Sequence, residues 1–295
     1  MKKFKVLLFY KYVLFNEPER FMQDHLSWCN NNDIKGRIFI ATEGINGTVS
    51  GNIENINKYK LLLRSYPEFN DIIFKEDDED EHAFREIHVR VKKEIVHSNL
   101  DIISLRNGGK RLTPEGLLRF YEEGKEFIIV DARNWYESKI GKFKNAITPP
   151  MKNFREWAQA AEMLTDFKDK TVVTYCTGGI RCEKASAYLV EKGFKDVYQL
   201  NGGIVTYTKI FPDTYWEGGI FVFDERRVVN PNSDTKLKYV SNCYFCCEPT
   251  SYYINCHNLM CDKILVACHR CKKENDYCCS EECRNSPFKR DKFNG

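Results

Sequence analysis

A β-branched segment that continues directly into a glycine-containing loop and then into a helix constrains this chain most. Residues Thr171–Tyr175 read TVVTY, which is typical of a buried strand. The loop begins at Cys176, and Gly178 and Gly179 allow the backbone to turn so that several N–H groups point inward. A helix predicted to begin at Cys182 adds the positive end of its dipole. The segment therefore predicts an α/β unit with an anion-binding loop at the carboxyl end of a strand.

Cys176 is the candidate nucleophile of this loop. A thiol among inward-pointing N–H groups and near the fixed charge of Arg181 should have a lowered pKa and be present as the reactive thiolate. Cys182 has two interpretations, a redox partner that forms a disulfide with Cys176 or a helix-start residue packed against the sheet. The active loop consists of Cys176, Thr177, Gly178, Gly179, Ile180 and Arg181.

Length, charge and cysteine distribution exclude several classes of protein. The 295 residues allow two or three domains, and the net charge of +3 is too small to indicate a nucleic-acid partner by itself. The apolar start is interrupted at Lys11 and has no small-residue cleavage site, so we expect a strand rather than a signal peptide. No run of apolar residues is long enough to predict a membrane span. Ten of the 13 cysteines lie between Cys243 and Cys283, which favours a cytoplasmic protein with metal-bound thiolates.

The order of predicted elements divides the chain into three domains. Residues 1–97 predict β-α-β-β-α-β, the order of a ferredoxin-like α+β domain. Residues 113–223 alternate strands and helices, which predicts an α/β domain with a mainly parallel sheet. Residues 98–112 are predicted to be a linker between them. Residues 224–295 predict a small cysteine-rich module that binds zinc.

Two segments of the first domain are predicted to be irregular. Thr42–Gly51 contains three glycines and predicts a turn-rich hairpin. The acidic run Glu76–Glu81 predicts a solvated loop rather than a metal site, because adjacent carboxylates repel one another and no spaced ligand pattern accompanies them. The basic strand that follows is able to contact phosphates, but a single basic strand is usually a solvated sheet edge. Its cations are Arg85, Arg90, Lys92 and Lys93.

The cysteine-rich segment predicts two structural zinc sites. Two tetrahedral sites made only of cysteine need eight thiolates. The simplest assignment places Cys243, Cys246, Cys256 and Cys261 in one site, and Cys268, Cys271, Cys279 and Cys283 in the other. An interleaved grouping is equally open, with Cys247 and Cys278 spare, and His257 or His269 are able to replace a thiolate. Aromatic and basic residues of the same segment also suit an RNA-facing role.

Motifs of the central domain resemble those of the rhodanese family. Val130–Arg133 and Trp135–Glu137 match the beginning of a rhodanese domain, Cys176–Arg181 its six-residue active loop, and Asn201–Gly203 its closing turn. The resemblance implies that Cys176 forms a persulfide and that Arg181 helps to hold its charge. We interpret Asp131 and Arg133 as a structural ion pair near the sheet edge.

Three segments taken together narrow this resemblance. Ala41–Ser50 (ATEGINGTVS), Cys176–Lys184 (CTGGIRCEK) and the cysteine-rich tail occur in this order, and together they resemble the rhodanese-family tRNA uridine-34 hydroxylases over essentially the whole chain. The resemblance implies oxygen-dependent formation of 5-hydroxyuridine at the wobble position. It also implies dioxygen as co-substrate and the tRNA anticodon arm as partner. No flavin or nicotinamide fingerprint is present in the sequence, and no reductant or sulfur donor is indicated.

Two alternatives stay open from the residues alone. The loop suits a sulfurtransferase equally well, one that moves sulfane sulfur from a small donor to RNA or to a protein thiol. The second alternative is a non-catalytic RNA-binding zinc protein with a vestigial rhodanese fold, and the intact Cys176 and Arg181 argue against it.

Overall fold

The computed structural model describes residues 2–100 and 107–290. Its strands are β1 (Phe4–Tyr12), β2 (Lys35–Ala41), β3 (Gly44–Asn52), β4 (Phe74–Glu79), β5 (Ile87–Val91), β6 (Lys110–Leu112), β7 (Ile128–Asp131), β8 (Gly141–Phe143), β9 (Thr171–Tyr175), β10 (Asp196–Leu200), β11 (Trp216–Gly218), β12 (Ile220–Phe221), β13 (Val228–Val229), β14 (Tyr253–Asn255) and β15 (Ile264–Val266). Its helices are α1 (Pro18–Asn31), α2 (Ile53–Ser65), α3 (Pro114–Glu122), α4 (Trp135–Ser138), α5 (Trp157–Glu162), α6 (Ile180–Glu191), α7 (Gly203–Ile210), α8 (His269–Glu274) and α9 (Glu281–Arg284). Within the described ranges, no helix combines the length and the apolar character needed to cross a bilayer.

The first domain is a five-stranded sheet with two helices on one face. The strand order is β4-β1-β3-β2-β5. The first four strands pair antiparallel, and β5 is added in parallel beside β2. Leu7 and Phe9 of β1 are buried against Tyr59 of α2 and against side chains of α1. The predicted ferredoxin-like α+β domain is confirmed, with β5 as an additional edge strand. The two helices leave the second face of its sheet uncovered.

The predicted hairpin over Thr42–Gly51 is mostly a strand. Only Thr42 and Glu43 form the turn, and β3 begins at Gly44. The glycines serve close packing within the sheet rather than a change of direction. A Cβ atom at Gly47, for example, would lie 2.5 Å from Cζ of Phe9.

Most of the acidic run belongs to β4 (Phe74–Glu79), so the prediction of a solvated loop is wrong for residues 76–79. Alternate side chains of a strand point to opposite faces, which separates neighbouring carboxylates. Glu76 forms ion pairs with Lys5 and Lys60. On the opposite face, Asp77 lies 2.7 Å from Lys209 Nζ. Cations on both faces therefore compensate the charge repulsion that the sequence suggested.

The second domain is built on a four-stranded sheet of order β6-β10-β9-β7, and every pair is parallel. Helices α3 and α7 pack on one face, and α5 and α6 pack on the other. This confirms the predicted α/β domain with a mainly parallel sheet. Lys110–Leu112, which the predicted linker included, forms β6 beside β10, and residues 101–106 of that linker lie outside the described residues.

The third part of the chain is a small module around the β14–β15 hairpin. Tyr253 and Val266 of the hairpin pack against Tyr136 and Ile140 of the second domain. The module's own apolar cluster is small and contains cysteine side chains. A core of this size usually needs cross-links to be stable, and thiolate–metal bonds are one kind of cross-link found in such small modules.

Candidate active site

The loop after β9 forms a cradle around the Cys176 thiol. Gly179 adopts a φ of +102°, a conformation that L side chains rarely reach. Its N–H group donates to Cys176 Sγ at 3.1 Å. The N-terminus of α7 supports the loop from behind, because Ile204 N–H donates to the Cys176 carbonyl at 3.0 Å. The structure thus places the thiol at the carboxyl end of a central strand, next to the first turn of α6.

Cys176 has a lowered pKa even though it is fully buried. Burial opposes ionisation, but it is outweighed by a hydrogen bond from the Cys182 thiol, by the charge of Arg181, and by N–H groups of Cys182 and Gly179. The result is a pKa of about 6 for the Cys176 thiol. At neutral pH the residue is therefore mainly the thiolate, which is the nucleophilic form.

Cys182 is the hydrogen-bond donor of this pair of thiols. Burial raises its pKa well above the ordinary value, and the adjacent negative charge of Cys176 raises it further. Cys182 therefore keeps its proton and shares it with Cys176. The side chain is fully buried in the first turn of α6, which agrees with the interpretation of a packed helix-start residue. The redox role of Cys182 stays a prediction.

Arg181 is held by a carboxylate from a distant helix. Its two Nη atoms donate to Oε1 and Oε2 of Glu137 at 2.6 and 2.8 Å. Arg181 Nη2 also lies 3.2 Å from Thr177 Oγ1. Glu137 is in turn held by the N-terminus of α4, where Asn134 N–H donates to Oε1 at 3.1 Å. The sequence analysis named Glu137 only as part of the motif at the start of the domain. Glu137 and Arg181 are 44 residues apart, so no local sequence pattern indicates that they form a pair.

A second buried ion pair stabilises the sheet edge. Arg133 Nη2 donates to Asp131 Oδ2 at 2.6 Å, and both side chains are fully buried. Tyr175 Oη donates to the same oxygen at 2.8 Å. This confirms the predicted structural pair. It lies beneath the active loop rather than in it.

The first domain covers the active loop with the free face of its sheet. A Cβ atom at Gly178 would lie 2.8 Å from Leu8 Cδ2, and one at Gly179 would lie 2.9 Å from Tyr10 Oη. Tyr10 Oη donates to Glu183 Oε1 at 3.1 Å. Both glycines are therefore required by close contact with β1 as well as by the turn itself.

The two motifs that the sequence singled out meet in an ion pair across this boundary. Lys184 ends the CTGGIRCEK segment, and Glu43 lies in the ATEGINGTVS segment. Lys184 Nζ lies 3.0 Å from the Glu43 carboxylate and 2.7 Å from Glu94 Oε2. Lys184 is buried, so the pair links the two domains at a site that water hardly reaches.

A cavity of about 410 Å³ remains between the sheet face and the active loop. This volume lies in the range of sites that enclose small molecules. The loop contributes Cys176, Thr177, Gly178, Ile180 and Arg181, and the sheet contributes Leu8, Tyr10, Asn46, Thr48 and Lys75. The cavity is thus large enough for a nucleoside-sized group, and the Cys176 side chain forms part of its wall.

The cysteine-rich module brings eight thiols into two groups of four. One group contains Cys243, Cys246, Cys268 and Cys271, and the other contains Cys256, Cys261, Cys279 and Cys283. The sequential assignment is therefore wrong, and the interleaved grouping is the one found. The antiparallel β14–β15 hairpin explains this result. Cys256 and Cys261 lie at its turn, whereas Cys268 follows the strand that returns toward Cys243.

The thiol geometry of both groups fits a metal ion. Tetrahedral zinc with Zn–S bonds of about 2.3 Å places sulfur atoms about 3.8 Å apart. The distance between Sγ of Cys246 and Sγ of Cys268 is 3.8 Å, and that between Cys261 and Cys279 is 3.7 Å. Neither group includes Cys247, which is exposed. Within the described residues, both groups consist of cysteine alone.

Comparisons with known families agree with the three-part architecture. Residues 4–95 match the UPF0176 acylphosphatase-like domain, residues 113–209 the rhodanese-like domain and residues 217–284 the rhodanase C-terminal family. Among solved structures, a rhodanese-like domain protein from Staphylococcus aureus is 28% identical, with a TM-score of 0.29 over 33% of this chain and 90% of that one.

Two curated relatives match nearly the whole chain, and both are named tRNA uridine(34) hydroxylase. The protein from Acholeplasma laidlawii is 42% identical over 98% of this chain and 92% of its own length. The protein from Bacillus licheniformis is 44% identical over 97% of this chain and 89% of its own length. With this identity along all three parts of the molecule, the chain belongs to the tRNA uridine(34) hydroxylase family.

Proposed function

We propose that this chain hydroxylates uridine 34 of tRNA to 5-hydroxyuridine, with Cys176 as the catalytic thiol and dioxygen as the co-substrate. The observation that carries the proposal is the Cys176 thiolate in the wall of a nucleoside-sized cavity. The relatives that match the whole chain carry the name of this activity. A tRNA substrate also favours the cytoplasm as the site of action.

The cavity requires the target base to leave the anticodon stack. Bases of single-stranded loops are accessible in this way, and proteins recognise them by stacking and by contacts to their edges. Arg181 is held by Glu137 and keeps a positive charge next to the thiolate. Leu8 and Tyr10 lie directly above the loop and line the cavity.

The exposed part of the same sheet face supports the anticodon arm as the partner. Arg37 and Arg90 are exposed there, and Phe39 lies two residues after Arg37 on β2 and is paired with Arg90 on β5. Lys92 Nζ lies 5.8 Å from the centre of that ring. A positively charged surface with an accessible aromatic ring is suited to phosphates and unstacked bases. It continues directly into the cavity, because Arg37 and Phe39 also line it.

Cys182 is proposed as the redox partner of Cys176. Insertion of one atom of dioxygen into the C5–H bond leaves the second atom to be reduced to water by two electrons and two protons. Oxidation of two thiols to one disulfide releases two electrons and two protons. The effect of the Cys182 thiol on the pKa of Cys176 supports this pairing, and an external thiol would regenerate the two thiols.

Both cysteine groups are proposed to bind zinc. The donor set consists of four thiolates in each group, which is the ligand set of closed structural zinc sites. Zinc would cross-link the module, whose apolar core is small, and hold it against the second domain. It has no proposed role in hydroxylation, since all of its coordination positions are taken by cysteine.

High-resolution mass spectrometry of tRNA nucleosides tests the proposed activity. Addition of oxygen and replacement of oxygen by sulfur change a nucleoside by nearly the same nominal mass, so high resolution is required. Cells that lack the protein should lose 5-hydroxyuridine derivatives. Wild-type protein should restore them, and the Cys176→Ala variant should not.

Two other outcomes would contradict the proposal. Loss of a thiolated nucleoside instead would indicate a sulfurtransferase, for which the N–H group of Gly179 and the charge of Arg181 also suit a Cys176 persulfide. Unchanged nucleosides would leave a non-catalytic RNA-binding protein. A single-turnover reaction of purified protein with one equivalent of tRNA and no external thiol tests the redox role separately, because Cys182→Ser should then form no 5-hydroxyuridine while the wild-type protein does.

A further inference from the structure

The cavity wall that faces the active loop carries an amide with unused hydrogen-bonding capacity. Asn46 lies on β3, and its Nδ2 donates to the Ile95 carbonyl at 2.9 Å. Ile95 is itself held, since its N–H group donates to Glu43 Oε1 at 2.7 Å. These bonds fix the orientation of the Asn46 amide. Among the described residues, no donor reaches its Oδ1 atom, which is left as an acceptor in the cavity wall.

Lys75 is a cation in the same wall. It lies on β4, and its Nζ is 5.2 Å from the centre of the Tyr10 ring. Within the described part of the chain it forms no ion pair with a carboxylate, since Asp77, the carboxylate beside it on the same face of β4, pairs with Lys209 and Arg226. Burial lowers the pKa of Lys75 to about 8, and the Cys176 thiolate opposes this effect. The side chain is therefore mainly charged at neutral pH and able to donate.

The strand register places these two groups on either side of β1. Asn46 is paired with Tyr10 across β1 and β3, and Lys75 is paired with Leu8 across β1 and β4. Strands β4 and β3 flank β1, so their backbones lie about 10 Å apart. All four side chains point to the face that covers the active loop. An acceptor and a long cationic donor therefore converge on the space above Tyr10.

Of the two pyrimidines found in RNA, this pattern is complementary to uracil. The edge of uracil presents an N3–H donor between two carbonyl acceptors. Cytosine presents an unprotonated N3 atom and an amino group. Its N3 acceptor would face the Asn46 acceptor, and its amino donor would face the Lys75 donor. Mismatched groups of this kind are costly in a buried site, because each polar atom loses its water without gaining a partner.

We propose that Asn46 and Lys75 distinguish uracil from cytosine as the target base, with Asn46 Oδ1 accepting from N3–H and Lys75 donating to O4. The inference rests on the proposed function, since it requires a nucleotide in the cavity. It assigns a role to the ATEGINGTVS segment. Glu43 of that segment links the first and second domains, and Asn46 forms a hydrogen bond with the base.

Binding of an anticodon stem-loop RNA to a Cys176→Ser protein tests this assignment without chemistry. With the recognition residues intact, uridine at position 34 should bind at least about tenfold more tightly than cytidine. Asn46→Ala should reduce the preference to about threefold or less, and Lys75→Met should reduce it in the same direction. Arg90→Met is the matched control. It removes an exposed cation from the same sheet face, so it should weaken both RNAs equally.

A second test changes the RNA and leaves Asn46 and Lys75 unchanged. An RNA with 3-methyluridine at position 34 lacks the N3–H donor, and it should bind at least about tenfold more weakly than the uridine RNA. Equal binding of the two RNAs, or an unchanged preference in folded Asn46→Ala and Lys75→Met proteins, would overturn the assignment.

The two proposals fail in different ways. If wild-type protein makes no 5-hydroxyuridine and its Cys176→Ser variant binds neither RNA, the proposed function fails together with this inference. If it makes 5-hydroxyuridine while the uridine preference stays the same in both variants, only the assignment of Asn46 and Lys75 is wrong.

Discussion

Arg181 and Glu137 form a bidentate ion pair in which the arginine is nearly buried and the glutamate is fully buried. The pair connects the active loop to α4, the short helix near the start of the second domain. Two parallel N–H···O bonds restrict the guanidinium in position and in plane. The charge that favours the Cys176 thiolate is therefore held in place by a residue that has no contact with the cavity.

Glu137→Gln should destabilise the protein strongly. The substitution leaves Arg181 as a buried cation without its counter-ion, and breaking one partner of such a pair costs about 3 to 5 kcal/mol. Urea unfolding of the two proteins measures the difference. Lys195→Met is the control, because it breaks an exposed pair with Asp169 and should leave the unfolding midpoint unchanged. Equal midpoints for Glu137→Gln and wild type would contradict the expectation.

Alkylation of Cys176 should follow a pKa of about 6. Because this pKa is lowered, the thiolate is present above that pH and is lost as the pH falls through it. The rate with iodoacetamide, followed by peptide mass spectrometry, should reach half its maximum near pH 6. Cys29 is an internal comparison, since burial raises its pKa to about 12 and it should stay unreacted. A midpoint for Cys176 near the ordinary thiol value, about 8.5, would refute the prediction.

Arg181→Met should raise the midpoint of that alkylation profile. Removal of the cation takes away a charge that favours the thiolate and leaves the Glu137 carboxylate uncompensated nearby. Each change disfavours the Cys176 anion, and we expect an upward shift of at least about one pH unit. Arg181→Lys keeps the charge without the bidentate geometry and should shift the midpoint less. If both variants leave the profile unchanged, Arg181 does not contribute to the lowered pKa.

Lys184→Met should loosen the contact between the first two domains. The substitution leaves Glu43 and Glu94 without their shared cation at a largely buried boundary. We expect a loss of about 1 to 3 kcal/mol in the free energy of unfolding. Limited proteolysis should also cleave the chain between the domains faster than in wild type. Unchanged cleavage together with unchanged stability would show that the ion pair does not hold the domains together.

Metal content distinguishes the two possible groupings of the cysteines. Purified protein should contain about two zinc ions per chain. The double variant Cys243→Ser/Cys268→Ser alters one observed group and should lose about one ion, whereas Cys243→Ser/Cys256→Ser alters both groups and should lose about two. Cys247→Ser lies outside both groups and should keep both ions. The opposite result for the two double variants would restore the sequential assignment.

Local patterns predicted the second domain well because its signals are short-range. A β-branched strand, two glycines and a helix start are adjacent in the chain around Cys176, and their conformations depend on neighbouring residues. Local patterns failed at Thr42–Gly51, where three glycines predicted a turn-rich hairpin and the structure has mostly a strand. Glycine suggests a turn when only the local backbone is considered, whereas Gly47 is small because Phe9 packs against it.

The sequence by itself located the glycine-containing loop at Cys176, the order of the three parts and the identity of the eight metal-ligand candidates. Only the tertiary structure decided that Glu137 holds Arg181, that Glu43 forms an ion pair with Lys184, and that the two groups of four cysteines are interleaved along the chain. These contacts join residues that are far apart in the chain, and their geometry depends on strand register and domain packing. The cavity above Cys176 has the same origin, because one of its walls is the sheet of another domain.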